Sequence, residues 1–353
     1  MSHSQATSKK EEEEEIPPPE RPPSPAPHTT LAVRGLHAPN FSAFRPREFF
    51  RATTLQPMSH VAWSCDGRKL GAVGIDKIAR VWQSDKSLEQ RTSTNFTGGH
   101  SDDIDYIAWS PVHPELFCTS SQKDRRIVFW DGRQSRSVQS IQLKVPPAQV
   151  IYAPDGKSIL YCSTTRQIGI LRFGSQGEGA KDAWPQSTAT TALFNFAGDA
   201  LVLTQHAEQQ VRIVEYPSLN NLHVMPAHVQ GVTAAALDPR GRYLASGGND
   251  SIVNLFDVSS WICARTIAVC NHGINALSFS HDGEFIAIAN QGNYIDICEV
   301  ETGMPLHRVP TLGPVATVTW HSSKHLIAYC GQTKPKEGNP TPVAWIGIFG
   351  PGS

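Results

Sequence analysis

Residues 233–258 read TAAALDPRGRYLASGGNDSIVNLFDV. Three short runs rich in apolar and β-branched residues are separated here by two turn sequences, at 238–241 and 248–250. A fourth, more polar run follows near 263–268. Short runs of this kind, divided by Gly, Asp, Asn and Pro, are typical of antiparallel strands joined by tight turns. The stretch therefore predicts one four-stranded antiparallel sheet.

The same pattern returns seven times along the 353 residues. Each first strand ends in an aromatic residue or a leucine. These anchors are Trp63, Trp109, Tyr152, Phe194, Leu237, Phe279 and Trp320, and their separations are 46, 43, 42, 43, 42 and 41 residues. A period of about 43 residues with four strands per repeat is typical of propeller blades. The sequence predicts an all-β, seven-bladed β-propeller.

The two ends of the repeat array indicate how the ring closes. The last repeat stops after its third strand, at 343–349, while an unassigned strand-like segment, REFFR, stands at 47–51. We expect this N-terminal strand to pair with the last blade, which removes exposed edges. Residues 41–353 form the propeller in this interpretation. Residues 1–40, with five consecutive glutamates and many prolines, are expected to be a disordered acidic and proline-rich tail.

Composition excludes several classes of function. The formal net charge is −1, so the whole molecule has no strong attraction for nucleic acid or acidic membranes. No apolar run resembles a signal peptide or a membrane span. The seven cysteines form no CxxC pair and are expected to be reduced core residues of a cytoplasmic or nuclear protein. We expect no metal site and no cofactor, because the fourteen histidines are scattered and phosphate-binding glycine motifs are absent.

Blade 2 contains the best-formed candidate constellation, a histidine, a serine, an aspartate and a tryptophan at spacings that a blade can bring together. Blade 5 repeats three members, with Phe256 in place of the indole, and blade 1 keeps two. The members are His100, Ser120, Asp124 and Trp130 in blade 2, His228, Ser246 and Asp250 in blade 5, and Asp76 and Trp82 in blade 1. A Ser-His-Asp catalytic triad is the alternative, but recurrence in several blades favours a structural role. We expect no catalytic residues and no small-molecule substrate.

Several phrases resemble a known family. Trp130-Asp131 and Gly99-His100 are typical of WD repeats. Five stretches are similar to the WD-repeat subunits of the THO complex, part of the TREX transcription–export assembly. They are REFF (47–50), VAWSCDG (61–67), DYIAWSPVHPELF (105–117), LDPRGRYLASGGNDSIVNLFDV (237–258) and LSFSHDGEFIAIANQGNYIDICEVETG (277–303). The resemblance implies a nuclear, non-catalytic scaffold that docks onto the large helical THO subunits and, through them, engages the export helicase and the mRNP. Blades 3 and 4 and the tail depart from that family pattern.

Residues just before the turn aspartates are candidates for partner contact. They are Ile75, Lys123 and Asn249, at one rim of the ring. Basic clusters at 123–126 and 45–51 leave a weak, direct RNA contact open. The alternative function is a substrate receptor of a cullin-type ubiquitin ligase, because Trp130-Asp131-Gly132-Arg133 matches the WDxR pattern with Arg133 as the contact residue. A third class, an enzyme using the central channel, would need carboxylates or histidines converging there.

Overall fold

The computed structural model describes residues 20–53, 58–74, 76–84, 88–134, 136–173, 180–334 and 341–351. These residues form seven four-stranded antiparallel sheets. The first strands of successive sheets contact one another in chain order, and the first strand of the last sheet contacts that of the first. The molecule is therefore a closed seven-bladed β-propeller, which confirms the predicted fold class. No helix in the described ranges has the length and hydropathy needed to cross a membrane.

The strands of the first half follow two short 3-10 turns, Ala32–Arg34 and Phe41–Ala43. Strand β1 is Arg45–Thr53. Blade 1 contains β2 (Met58–Trp63), β3 (Lys69–Gly74), β4 (Ala79–Gln83) and β5 (Thr94–Phe96), with a 3-10 turn at Gln90–Thr92. Blade 2 contains β6 (Tyr106–Trp109), β7 (Leu116–Ser121), β8 (Arg126–Asp131) and β9 (Ser137–Gln142). Blade 3 contains β10 (Pro147–Tyr152), β11 (Ser158–Ser163), β12 (Gln167–Arg172) and β13 (Ala180–Thr188).

The second half continues the same order. Blade 4 contains β14 (Thr191–Phe194), β15 (Ala200–Thr204), β16 (Gln210–Glu215) and β17 (Asn221–Pro226). Blade 5 contains β18 (Val232–Leu237), β19 (Tyr243–Gly248), β20 (Val253–Asp257) and β21 (Cys263–Ile267). Blade 6 contains β22 (Ile274–Phe279), β23 (Phe285–Asn290), β24 (Tyr294–Glu299) and β25 (Pro305–Pro310). Blade 7 contains β26 (Val315–Trp320), β27 (Ile327–Gln332) and β28 (Val343–Gly350), completed by β1.

Burial along a blade explains its residue pattern. The second strands lie between two neighbouring blades, so every residue of β11, β19 and β23 is buried. The fourth strand is at the rim, and in β9 five of its six residues are exposed. Apolar clusters fill the space between neighbouring blades, where both faces of a strand must be covered. All seven cysteines are free, and five of them are buried within these strands and clusters.

Strand β1 closes the ring as the sequence predicts. It pairs antiparallel with β28 from Arg45 opposite Gly350 to Thr53 opposite Val343. Phe50 is 3% exposed and joins Met58, Trp82 and Ile346 in the cluster between blades 7 and 1. The first and last parts of the chain therefore share one sheet and one apolar core.

Two segments differ from the sequence-based expectation. The Gly-, Pro- and charge-rich sequence of residues 174–186 predicts a mobile surface loop, but 180–188 form β13, paired through backbone hydrogen bonds with β12. A rim strand needs only backbone pairing, so its polar composition resembles that of a loop. Residues 1–19 of the expected tail lie outside the described residues. Residues 20–40, however, contact the propeller: Leu31 is 8% exposed and packs in the apolar cluster of blades 6 and 7.

Candidate functional site

Successive turns of a blade lie on opposite faces of the ring, because neighbouring strands run antiparallel. We name the face with the turns between second and third strands, such as 122–125 and 249–252, the upper face. The lower face carries the turns between first and second strands, such as 238–242 and 280–284. The connection from each blade to the next also lies on the upper face, so 97–105 and 227–231 belong there.

The network of blade 2 joins three elements of the upper face. Nδ1 of His100 lies 2.9 Å from Oδ2 of Asp124. The same oxygen accepts the backbone N–H of Ser101 at 3.0 Å, and Oδ1 accepts that of Arg126 at 2.9 Å. The side chains of His100 and Asp124 are 0% and 2% exposed. The carboxylate is thus buried with its hydrogen bonds satisfied, as a buried charge requires.

The hydroxyl of this network belongs to Thr119, so the prediction of Ser120 was wrong. Nε2 of His100 and Nε1 of Trp130 each lie 2.8 Å from Oγ1 of Thr119. The buried Oγ of Ser120 has no hydrogen-bond partner among the described residues. Neighbouring strand residues point to opposite faces, so an error of one residue places the side chain against the other blade.

Blade 5 brings its three predicted side chains together. Nδ1 of His228 lies 3.0 Å from Oδ1 of Asp250, and Nε2 lies 2.8 Å from Oγ of Ser246. The hydroxyl is four residues before the aspartate here and five residues before it in blade 2. Phe256, which stands where blade 2 has its indole, is buried in the apolar cluster between blades 4 and 5.

Blade 1 does not bring its two predicted residues together. Asp76 forms an ion pair with Arg80, whose Nη1 lies 3.0 Å from Oδ1. Nε1 of Trp82 donates instead to the carbonyl oxygen of Glu89 at 2.9 Å. Arg80 reaches this carboxylate because it lies four residues after Asp76 on the same hairpin. Its guanidinium also lies over the ring of Phe50, 4.9 Å from the ring centroid.

The predicted contact residues have different environments. Lys123, 52% exposed, forms ion pairs with Asp103 at 2.5 Å and Asp102 at 3.4 Å. The hydrogen bond to Asp103 raises the pKa of this lysine. Asn249 is exposed on the upper face, and its Nδ2 donates to the carbonyl oxygen of Gln230 at 3.5 Å. Ile75 lies outside the described residues.

Arg133 lies on the lower face, in the turn after β8. Its Nη2 lies 2.8 Å from Oδ2 of Asp131, and its side chain is 54% exposed. The guanidinium lowers the pKa of the Asp131 carboxyl through this hydrogen bond. The arginine is thus held by its own turn, with about half of its surface accessible.

Residues 20–36 cross the lower face, a contact that the sequence analysis missed. Arg34 binds Glu284 through two parallel hydrogen bonds of 2.7 and 2.5 Å, and the backbone N–H of Leu31 donates to Glu299 at 2.9 Å. Nη1 of Arg242 donates to the carbonyl oxygen of Pro25 at 2.6 Å. The local sequence indicates this contact only by the apolar Leu31 shortly before Arg34, next to a proline-rich stretch.

A buried charge network lies beneath this segment, between blades 5 and 6. The side chain of Arg240 is 0% exposed and lies 3.2 Å from Asp238 and 3.5 Å from Glu301. The hydroxyl of Tyr243 donates to Glu301 at 3.0 Å. Gly283 has φ +70°, and a Cβ there would lie 2.4 Å from Oδ1 of Asp238, so only glycine fits against the network.

The first strands of the blades surround a central cavity of about 770 Å³. Glu20 and Pro22 line it at the lower mouth. In its wall the ring of His60 stacks on Tyr106 with centroids 3.7 Å apart, and burial lowers the pKa of His60 to about 3. This ring is therefore neutral at physiological pH.

Comparison with known proteins gives a family assignment. The family model "WD domain, G-beta repeat" matches residues 91–131 and 219–257, and "Anaphase-promoting complex subunit 4 WD40 domain" matches 268–323. THO complex subunit 3 of Arabidopsis thaliana is 30% identical over 322 residues, covering 91% of this chain and 98% of that protein. The WD repeat-containing protein AAC3 of Dictyostelium discoideum is 25% identical and covers 82% of this chain, which spans 64% of AAC3.

Among solved structures, the β-propeller domain of Myceliophteria thermophila Cps50 (Swd1) is similar with a TM-score of 0.69. That match covers 84% of this chain and 99% of the Cps50 chain at 16% sequence identity. Similarity at this level of identity supports the fold alone.

Proposed function

Because the chain belongs to the family of THO complex subunit 3, we propose that it is a non-catalytic scaffold subunit of a nuclear THO/TREX assembly. In this role it couples transcription and mRNA processing to mRNA export through protein–protein contacts. One observation carries the proposal: the 30% identity extends over 98% of the relative's length. The similarity therefore covers nearly the whole propeller and is not confined to the blades that carry the repeat signature.

The upper face is the surface we propose for the large helical subunits, through which the export helicase and the mRNP are engaged. It exposes Lys123 and Asn249, and Val229, in the connection that enters blade 5, is 77% exposed. These side chains are accessible to a partner. The lower face, in contrast, already carries residues 20–36.

Direct RNA binding is a minor contribution in this proposal. Lys123 is neutralised by Asp102 and Asp103, and Nε of Arg126 donates to Gln142 at 2.9 Å. Near the closing strand, Arg51 lies 3.5 Å from Glu48. Phosphate binding depends on cations that are free to release counterions from the nucleic acid, so the ion pairs of Lys123 and Arg51 weaken it.

The ubiquitin-ligase alternative depends on Arg133. Its guanidinium is held by Asp131, and nothing else in the described residues distinguishes this turn as a ligase contact. We therefore keep the alternative as an outcome of the experiments. It would be supported if the wild-type protein captured a ligase adaptor and no THO subunits, and if Arg133→Ala no longer captured that adaptor.

Two exposed valines provide a matched test of the proposed surface. Val229→Asp changes the upper face, and Val138→Asp changes the rim strand β9, where Val138 is 61% exposed. Both substitutions leave the core intact, so their melting temperatures should equal that of the wild-type protein. Capture of the helical THO subunits by purified protein should fall at least tenfold for Val229→Asp and remain unchanged for Val138→Asp. Equal capture by both variants would exclude the upper face, and no capture by the wild type would overturn the function.

A further inference from the structure

Two neighbouring turns of the lower face bring three potential metal ligands together. His281 and Asp282 lie in the turn between β22 and β23, and His325 lies in the turn between β26 and β27 of the next blade. One ligand atom from each residue lies within 4.8 Å of the other two. In the described part of the chain, no other group of three His, Cys, Asp or Glu side chains comes this close.

The carboxylate of Asp282 is held in a fixed orientation. Its Oδ1 accepts the hydroxyl of Ser280 at 2.5 Å and the backbone N–H of Glu284 at 3.1 Å. Its Oδ2 lies 2.9 Å from Nε2 of His325. Ligands oriented by such surrounding hydrogen bonds bind a metal ion with less loss of conformational freedom.

The His325 ring is positioned by apolar neighbours. It lies edge-on to Phe285, with centroids 5.4 Å apart, and edge-on to Trp320, with centroids 6.1 Å apart. Both aromatic residues belong to the core cluster of blades 6 and 7. The imidazole is therefore attached to a rigid part of the fold.

The ion pair between Asp282 and His325 does not provide a partner for the third side chain, His281. Nδ1 of His281 is buried and has no hydrogen-bond partner among the described residues. Its ring lies 4.9 Å from that of His325. Buried polar atoms are nearly always paired, and a cation held between these groups would satisfy this nitrogen.

We propose that His281, Asp282 and His325 bind one divalent transition-metal ion, with Zn²⁺ the best match, and that the ion clamps blade 6 to blade 7. Two imidazoles and one carboxylate are ligands that Zn²⁺ accepts at about 2.0–2.2 Å. Ca²⁺ and Mg²⁺ prefer all-oxygen sites, and the absence of sulfur among these three ligands disfavours Cu(I). A solvent molecule completes the tetrahedron.

The sequence conceals this site because its ligands belong to different repeats. Asp282 and His325 are 43 residues apart, which is one repeat period, so they lie side by side on adjacent blades. Metal-binding motifs are usually recognised from ligands a few residues apart. Only knowledge of the ring places these residues together.

Metal titration of the full-length protein tests the proposal. The chain is first stripped with a chelator and then titrated with Co²⁺, whose visible spectrum reports coordination geometry. We expect one Co²⁺ per chain, with strong bands of a tetrahedral site and no thiolate charge-transfer band, and displacement by one Zn²⁺. Zn²⁺ should also raise the melting temperature, because it binds only the folded state.

Variants separate the metal site from a purely structural ion pair. His281→Ala leaves the Asp282–His325 pair intact, so the metal-free protein should melt as the wild type does. This variant and His325→Ala should each weaken metal binding at least tenfold and abolish the Zn²⁺-dependent stabilisation. The matched control is His113→Ala, in the corresponding turn of blade 2, and this variant should bind the metal ion with the affinity of the wild type. Binding that is not stoichiometric, is unchanged in His281→Ala or shows thiolate bands would overturn the proposal.

Discussion

Nε2 of His100 lies 2.8 Å from the hydroxyl oxygen of Thr119. Nδ1 of the same ring faces the carboxylate of Asp124, so Nδ1 carries the proton and Nε2 accepts. Burial lowers the pKa of His100, even though the neighbouring carboxylate favours the charged ring. The threonine hydroxyl therefore donates to the neutral ring and accepts the indole N–H of Trp130. A single oxygen connects two strands and the loop that enters the blade.

The hydroxyl assignment predicts opposite results for two neighbouring substitutions. Thr119→Val leaves two buried polar groups without a partner and should cost about 2–3 kcal/mol of unfolding free energy. Ser120→Ala removes an oxygen without a partner in the described structure and should change stability by less than about 0.5 kcal/mol. Urea denaturation of both variants decides between them. A larger loss for Ser120→Ala would mean that the serine belongs to the network.

Removing the buried carboxylate of this network should lower the free energy of unfolding more than removing a partly exposed carboxylate. Asp124→Ala removes the acceptor of His100 and of two backbone N–H groups, and we expect a cost of about 2–4 kcal/mol. Asp76→Ala breaks an ion pair in which the carboxylate is 36% exposed and Arg80 is 11% exposed, and it should cost about 1 kcal/mol, less than Asp124→Ala. Denaturant midpoints measure both. Equal melting of wild type and Asp124→Ala would contradict the buried network.

The free energy of unfolding should fall as the pH is lowered below the pKa of an unperturbed histidine. The pKa of His60 is about 3 in the folded protein and about 6.5 in the unfolded chain. The unfolded state therefore binds more protons between these values, and the stabilisation is complete only above about pH 6.5. At pH 5 the loss from His60 alone should be about 2 kcal/mol.

His60→Phe is the control for this pH dependence, because it keeps an aromatic ring against Tyr106 without a titrating group. Its unfolding free energy should change less between pH 7 and pH 5 than that of the wild type. Burial also lowers the pKa of other histidines, which adds to the slope in both proteins; they are His100, His206, His281, His307 and His321. Identical slopes in the two proteins would refute the contribution of His60.

Because β1 closes the ring, truncating its buried residue Phe50 should strongly lower the free energy of unfolding. Phe50 is 3% exposed in the cluster between blades 7 and 1, so Phe50→Ala should cost about 3–5 kcal/mol. Phe173→Ala, at a side chain that is 40% exposed, should cost much less. Thermal melting compares the two. A small effect at Phe50 would show that β1 contributes little to closing the ring.

The parts of this structure that depend on local patterns were predictable. Seven anchors at a regular spacing predict the blades, and the missing fourth strand of the last repeat predicts closure by 47–51. The exact hydroxyl was not predictable, because the pairing register of the two hairpins differs by one residue: Thr119 pairs with Val128, nine residues on, whereas Ser246 pairs with Asn254, eight residues on. A shift of one residue reverses which blade face a side chain occupies.

Long-range contacts were hidden for a different reason. The pairing of Arg34 with Glu284 joins residues 250 apart in a segment whose proline-rich composition suggests disorder. The cluster of His281, Asp282 and His325 joins two repeats that carry no metal motif separately. Both become visible only when the closed ring places blades 5, 6 and 7 beside one another.

The most direct test of the scaffold function is affinity purification of the full chain from nuclei, with and without nuclease, followed by mass spectrometry. We expect the large helical THO subunits to co-purify in near-stoichiometric amounts in both samples, because the contacts are between proteins. The export helicase and mRNA-binding proteins should decrease after nuclease treatment. Recovery of a ubiquitin-ligase adaptor without THO subunits, or complete loss of THO subunits after nuclease treatment, would contradict the account.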